Sequence, residues 1–298
     1  MSVDATLLEA LTAPECAPAL RVLDERRELT RLIPELEDGR GFVQPDMHFY
    51  DVLNHNRATV AALDSVLTPG AHNTEIREAM PWLDLDASLA MRVGGLRLLW
   101  LTRLACLVHD VAKPTTATMV EGRLRFPRHG PRGAELMRER LPLLGFEPEA
   151  VELVARLVRY HLRPGELIRA WPVSDRAVRR FVTDLGGQVL PLMLLNLCDG
   201  MAVRGPGYTA ENFSRHCAFV NYVMARAWAV SGGEQEGAVE PLLTGDDLIT
   251  ELDLESGRLL GAVLTSVRHA QFEGIISDRD AALSLARSVL ANLRADDS

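Results

Sequence analysis

The chain has 298 residues, 47% hydrophobic and 24% charged, ample for a globular core without disulfide or metal staples. Its 32 basic and 41 acidic residues give a formal net charge of −9. That is the wrong sign for a protein whose main task is to coat nucleic acid or an anionic membrane. The four cysteines, Cys16, Cys106, Cys198 and Cys217, form no C-x-x-C pair and read as reduced thiols of a cytoplasmic protein.

Met1 to Asp4 has neither a basic nor an apolar leader region, so no secretory signal is expected. Leu7 to Leu36 predicts two or three short amphipathic helices broken near Pro14 and Pro34. Phe49 to Leu67 predicts a longer helix, with Val52, Leu53, Val60, Leu63 and Leu67 on one face, ending before Pro69-Gly70. Asn73 to Arg92 reads as an irregular excursion with one short helix. Gly94 to Lys113 predicts a buried helix that Pro114 ends. Arg97, Arg103, His109 and Asp110 interrupt its apolar run, so it is no lipid-facing span, and no membrane partner is expected.

Alternation around Glu121-Gly122 in Thr118 to Phe126 gives the one strand signal, a small β-hairpin. Helical periodicity resumes over Gly133 to Leu144, Glu149 to His161, Asp175 to Leu185, Val189 to Val203 and Ala210 to Val230. Ser231 to Gly237 reads as a linker. Gly245 to Leu252, Arg258 to Glu273 and Asp278 to Leu293 read as a helical tail, with Thr244 and Asp247 as a capping box in which Asp replaces Glu. The expectation is an all-α chain in three parts: N-terminal helices over 1–45, a central helical domain over 46–230 and a tail over 238–298.

Four of the eight histidines form an ordered series with two aspartates: His55, the doublet His109-Asp110, His129, His161 and Asp199. Side-by-side helices can aim such groups at one point. Neutral imidazole and carboxylate together suit a divalent ion such as Mn, Fe, Co, Ni or Zn, and the two oxygens of Asp110 can bridge a pair of ions. The doublet lies in an apolar helix, where buried polar groups require partners. His48, His72, His216 and His269 belong to no spaced set and read as isolated residues. Cys106 and Cys198 read as core packing.

"LACLVHDVAKPTTAT", "GRLRFPRHGPRGAEL" and "LVRYHLRP" resemble the HD-domain superfamily of metal-dependent phosphohydrolases. The nearer resemblance is to the HD-containing C-terminal part, the neck, body and tail, of bacterial tRNA nucleotidyltransferases and poly(A) polymerases. "MHFYDVLNHN", "NLCDGMAVRG" and "PLLTGDDL" with "FEGIISDRDAAL" extend the likeness from about Leu7 to Leu293. The likeness implies an HD helical bundle over 46–230, flanked by neck-like helices and a tail. It implies one metal ion held by His55, His109, Asp110 and Asp199, and a second, weaker ion held by Asp110, His129 and His161. Mg joins the candidate ions.

The chain departs from the pattern in three places. No G-G-x-V-R-D segment of a nucleotidyltransferase head is present, so CCA addition or poly(A) synthesis is not expected of it. Tyr160-His161 stands where the family often has His-His, removing one potential ligand of the second ion. Arg128 replaces the usual glycine before the third histidine.

Lys113 is the one lysine among 32 basic residues and falls where HD proteins carry a phosphate-facing lysine. A compact ammonium and a guanidinium fork are not interchangeable at a tight site. Arg128, Arg132 and Arg163 flank the ligand positions and are candidates for gripping substrate phosphate. Arg123 and Arg125 read as solvated hairpin residues. Thr115 and Thr116 read equally as phosphate contacts or as caps of the turn after Pro114.

The expected function is hydrolysis of small phosphate esters, with Asp110 and Lys113 as catalytic residues; the resemblance implies nucleotides, especially 2′,3′-cyclic or 2′-phosphates, as the substrate class. The alternatives are a module that binds RNA or acts on its 3′ end, or a regulatory subunit for a separately encoded head. The net charge, and Asp246 at a tail position where lysine is frequent in the family, weigh against RNA binding. No DNA partner is expected.

Overall fold

The computed structural model describes residues 3–45, 48–169, 173–230, 242–252 and 278–296, with 254, 259, 260, 263, 264, 266, 267 and 276. The linker over Ser231 to Gly237, most of the helix expected over Arg258 to Glu273, His269 and the side chain of Asp246 lie outside the described residues. The chain divides into two compact units, Met1–Gln235 and Glu236–Ser298.

The fold is all-α with two small antiparallel strand pairs. Asp4 opens α1 (Ala5–Thr12) by accepting the Thr6 and Leu7 N–H groups, and the helix stops before Pro14. α2 (Cys16–Glu25), α3 (Glu28–Leu32) and a 3₁₀ turn (Pro34–Gly39) follow. α4 spans Val52–Leu67 and begins three residues later than the periodicity suggests, because the Asp51 carboxylate caps it through Asn54 N–H at 2.7 Å.

The segment expected to be irregular holds two helices, α5 (Ala71–Ala79) and α6 (Leu85–Ala90). A two-residue ladder follows, β1 (Arg92–Val93) with β2 (Leu96–Arg97), turning on Gly94 and Gly95 at positive φ. Burial of Ile76, Leu85 and Leu89 in the core stabilises these short helices where local pattern alone is weak. α7 is Leu98–Val108, shorter than expected. Pro114 does not end it but lies in the first turn of α8 (Lys113–Thr116), where the missing N–H costs nothing.

The expected hairpin is present as β3 (Thr118–Val120) and β4 (Arg123–Arg125), with Met119 opposite Leu124. α9 (His129–Leu143) starts four residues early, and α10 (Pro148–Tyr160) follows it. α11 (Arg163–Arg169) was not legible in the pattern; α12 (Asp175–Asp184), α13 (Val189–Arg204) and α14 (Ala210–Val230) complete the first unit. No single helix among the described residues is long and apolar enough to cross a membrane.

α7 and α13 are the interior helices: Leu101 to Val108, and Leu192 to Leu195 with Leu197 and Cys198, are buried on almost every side. They pack against each other and against α4, while α9 and α10 form an antiparallel pair leaning on α7. Two glycines permit that pair to close. A Cβ on Gly130 would meet the Arg159 carbonyl oxygen at 2.8 Å, and one on Gly133 would meet Val158 Cγ1 at 2.9 Å. Buried Arg103 of α7 donates to Asp64 of α4 at 2.9 Å and to the Leu11, Ala13 and Pro14 carbonyls, tying the N-terminal helices to the core.

The second unit has its own apolar cluster, including Leu248, Val263, Val267, Ala282 and Ala286. Among the described residues its helices include α15 (Gly245–Leu252) and α16 (Arg279–Asp296). The Asp247 carboxylate accepts Thr244 N–H at 2.7 Å while the Thr244 hydroxyl accepts Asp247 N–H at 3.1 Å, the reciprocal box expected there.

Candidate metal centre

His109 and Asp110 follow the last turn of α7, and His161 follows the last turn of α10. His129 opens α9, His55 lies in the second turn of α4, and Asp199 lies in α13. The packing of these five helices brings all six side chains together. His55 Nε2 is 3.2 Å from His109 Nε2, 3.1 Å from Asp199 Oδ1 and 3.3 Å from Asp110 Oδ2. His109 Nε2 is 3.3 Å from Asp110 Oδ2 and 3.6 Å from Asp199 Oδ1. On the other side, His129 and His161 Nε2 are 3.1 Å apart and lie 3.3 and 3.4 Å from Asp110 Oδ1.

Asp110 therefore turns one oxygen to each histidine pair. The ligand atoms fall into two groups that could each hold a metal ion: His55, His109 and Asp199, and Asp110, His129 and His161. Five of the six residues are buried; Asp199 alone keeps a fifth of its side chain exposed, at 21%, and marks the open side.

The protonation of the rings favours a cation. Nδ1 of His109, His129 and His161 lies 2.9, 2.7 and 2.7 Å from the carbonyls of Cys106, Phe126 and Val158, three residues back in each case. Each Nδ1 must carry the proton to donate to that carbonyl, which leaves Nε2 of the neutral ring as a bare lone pair. His129 and His161 thus face each other with two acceptors, and Asp110 Oδ1 beside them has no hydrogen-bond donor although fully buried. Such an arrangement of acceptors is repulsive unless a positive charge sits among them. Ligands about 2.05 Å from a tetrahedral ion are about 3.3 Å apart, which matches these separations. The residues present fit a divalent ion.

The two aspartates hold positive charge strongly. Burial works against charging His109, yet Asp110 and Asp199 outweigh it and lift the ring to about 10. Burial likewise opposes ionisation of both aspartates. Lys113 and His109 nevertheless hold Asp110 well below the usual carboxylate range, and His109 and His55 do the same for Asp199. Burial pushes His161 down. Asp110 and Asp199 thus stay ionised and draw positive charge into the cradle, whether a proton on His109 or a metal ion.

Lys113 is buried against the cradle and not free in solvent. Its ammonium donates to Asp110 Oδ2 at 2.6 Å and Gln44 Oε1 at 2.7 Å, lies 3.3 Å from His48 Nε2 and sits 5.5 Å from the centroid of the Phe126 ring. Burial and Lys113 push His48 down to about 4, so its ring is neutral and accepts from the ammonium. Gln44 and His48 were missed as site residues. Gln44 lies in a loop without periodicity, and His48 carried no signal beyond standing seven residues before His55 in "MHFYDVLNHN".

The flanking arginines divide. Arg163 bonds Asp184 at 2.7 Å and packs on the Tyr160 and Phe181 rings, and Arg132 bonds Glu135 at 3.0 Å. Arg128 is exposed, has no side-chain partner among the described residues, and adopts φ +59°, a left-handed conformation that favours glycine. Arg123 and Arg125 are exposed on the hairpin. Thr115 and Thr116 hydroxyls both bond the Ala112 carbonyl, which caps the turn. A groove of about 1010 Å³ runs along the outer face of α4 past Asn54, Arg57, Ala61 and Ser65, and holds none of the six cradle residues.

Residues 87–198 match the HD domain family. The chain carries an HD domain. HD domains bind divalent metals and belong to a superfamily of metal-dependent phosphohydrolases. Related proteins extend the likeness beyond that segment. The CC-adding tRNA nucleotidyltransferase of Thermus thermophilus is 30% identical over 93% of this chain and 54% of its own length. The A-adding tRNA nucleotidyltransferase of Deinococcus radiodurans is 30% identical over 89% of this chain and 52% of its own. A bifunctional uridylyltransferase/uridylyl-removing enzyme of Novosphingobium aromaticivorans is 28% identical over 87% of this chain and 26% of its own. The chain spans about half the length of the tRNA nucleotidyltransferases it matches.

Proposed function

We propose that the protein is a metal-dependent phosphohydrolase acting on nucleotides that carry 2′,3′-cyclic or 2′-phosphates. The observation that carries this reading is the Asp110 carboxylate, shared between two histidine pairs whose Nε2 atoms converge on its two oxygens. His55, His109, Asp110 and Asp199 would hold one ion, and Asp110, His129 and His161 a second. A divalent ion bound there supplies Lewis acidity and brings the pKa of water to about 7.

The chain's own residues supply the remaining requirements. The helix-end carbonyls hold the imidazoles in the ligating tautomer. Lys113 orients Asp110 and places a positive charge beside the reacting phosphate, where negative charge builds in the transition state. Arg128, at the start of α9 and without a side-chain partner among the described residues, grips phosphate directly; Arg132 and Arg163 would first have to leave Glu135 and Asp184. The partly exposed Asp199 marks the side from which substrate enters.

The likeness to tRNA nucleotidyltransferases over nine-tenths of the chain favours a second substrate of the same chemistry, the phosphorylated 3′ end of an RNA. The test is metal analysis with a substrate panel. Protein loaded with Mn or Ni is expected to cleave 2′,3′-cyclic AMP and bis-p-nitrophenyl phosphate. Asp110→Ala and His109→Ala are expected to lose both metal and activity while keeping the helical circular dichroism. Metal-loaded protein that cleaves neither compound overturns the reading.

A further inference from the structure

We propose that Phe49 is the platform on which the base of the substrate nucleotide stacks, so that the site selects nucleotides over other phosphate esters. The inference rests on the phosphohydrolase reading for the position of the phosphate. Phe49 is a large apolar side chain left 61% exposed, beside a cradle whose ligands are buried except for Asp199.

Its position is fixed. Phe49 N–H donates to the Val203 carbonyl at 3.0 Å. The ring packs on Gly205, where a Cβ would come within 2.9 Å of Phe49 Cγ, and stands at 86° to the Tyr50 ring with centroids 4.8 Å apart. The loop that presents it is closed by Gln44, whose amide donates to the Tyr50 carbonyl at 3.2 Å while its oxygen accepts from Lys113. An exposed aromatic on a loop tied to the catalytic lysine loses little freedom when a ligand stacks on it.

Its distance from the cradle fits a nucleoside. Val203, which anchors Phe49, is four residues beyond Asp199 on α13 and so on the same face, just over one turn or about 6 Å further along. Asp199 is the exposed ligand. On the other side His48, the residue before Phe49, lies 3.3 Å from the Lys113 ammonium, with its ring 5.7 Å from that of His55. A phosphate held at the cradle mouth therefore has the aromatic ring about one ribose away. Stacking on such a ring tolerates every base, which predicts little preference among adenine, guanine, cytosine and uracil.

The test is calorimetric binding of 2′-AMP, used throughout as its non-hydrolysable phosphonate analogue, and of inorganic phosphate to the Mn-loaded protein, scored as the ratio of the two dissociation constants. Phe49→Ala is expected to cut the preference for 2′-AMP about tenfold, Phe49→Leu to leave it low, and Phe49→Trp to restore it. The exposure of the ring predicts unchanged folding, checked by thermal melts. A preference that does not respond to residue 49, or a wild-type protein that binds 2′-AMP no more tightly than phosphate, overturns the platform. The two readings fail separately. Hydrolysis with a preference indifferent to residue 49 sinks only the platform; a preference that follows residue 49 in a protein without hydrolysis sinks only the phosphohydrolase.

Discussion

Gly130 offers a way to remove one half of the cradle without touching a ligand. A Cβ at this position would stand 2.8 Å from the Arg159 carbonyl oxygen and 3.2 Å from that of Val158. Carbon–oxygen contacts settle at about 3.3 Å or more, so Gly130→Ala must move the start of α9 away from the end of α10 by about 0.5 Å. Both obstacles are backbone, so no side-chain rotation relieves the clash. The N-terminal turn of α9 carries His129, and the end of α10 carries His161, whose ring is held by the Val158 carbonyl itself. Metal–ligand bonds tolerate about 0.2 Å, so the displacement exceeds what the Asp110–His129–His161 group absorbs. His55, His109 and Asp199 sit on α4, α7 and α13 and do not share the strain. Overpacking of this kind costs about 1–3 kcal/mol, which a domain of this size survives. Metal content by mass spectrometry and Mn titration by calorimetry are therefore expected to fall from two ions to one, with a folded protein and a lowered melting temperature. A folded variant that keeps both ions at wild-type affinity would refute the claim that this glycine sets the histidine spacing.

Three further predictions follow from the same contacts. Lys113→Met leaves Asp110 Oδ2 and Gln44 without their donor, and is expected to lower kcat on 2′,3′-cyclic AMP about 100-fold; Lys113→Arg is expected not to rescue it, since a guanidinium does not fit between partners 2.6, 2.7 and 3.3 Å from one small ammonium. Arg103→Leu strands the Asp64 carboxylate and three carbonyls in the core, and urea unfolding is expected to show a loss of about 3–5 kcal/mol; a loss below about 1 kcal/mol would show that water enters the site. Burial pushes His216 down to about 4, so it is neutral when folded but protonates near 6.5 when unfolded. The unfolded state then binds the extra proton first, and the stability contributed by His216 is complete above pH 6.5 and lost as pH falls to about 4, by roughly 3 kcal/mol at most. The urea midpoints of the wild type and His216→Gln at pH 7 and pH 4.5 measure that difference, and equal pH dependence in the two proteins counts against it.

The parts of this protein legible in its sequence are those where a local rule and the tertiary structure ask for the same residue. α14 and α15 begin and end where periodicity and capping place them, and Thr244 with Asp247 forms its box because all the groups involved lie within four residues. The elements that escaped are held by contacts distant in sequence. α5 and α6 are stabilised by burial of Ile76, Leu85 and Leu89, and the start of α9 is set by a left-handed Arg128 that no propensity favours. The same division runs through the site. His109-Asp110 could be noticed because two polar residues in an apolar helix contradict their surroundings, and Lys113 because no other lysine exists. Gln44 and Phe49 contradict nothing in their own loop. They become readable only when α8 brings an ammonium to one and the end of α13 brings a carbonyl and a glycine to the other. Residues that hold a metal must match its chemistry and so announce their type. Residues that position a ligand or choose a substrate need only shape and place, and shape and place are properties of the folded chain.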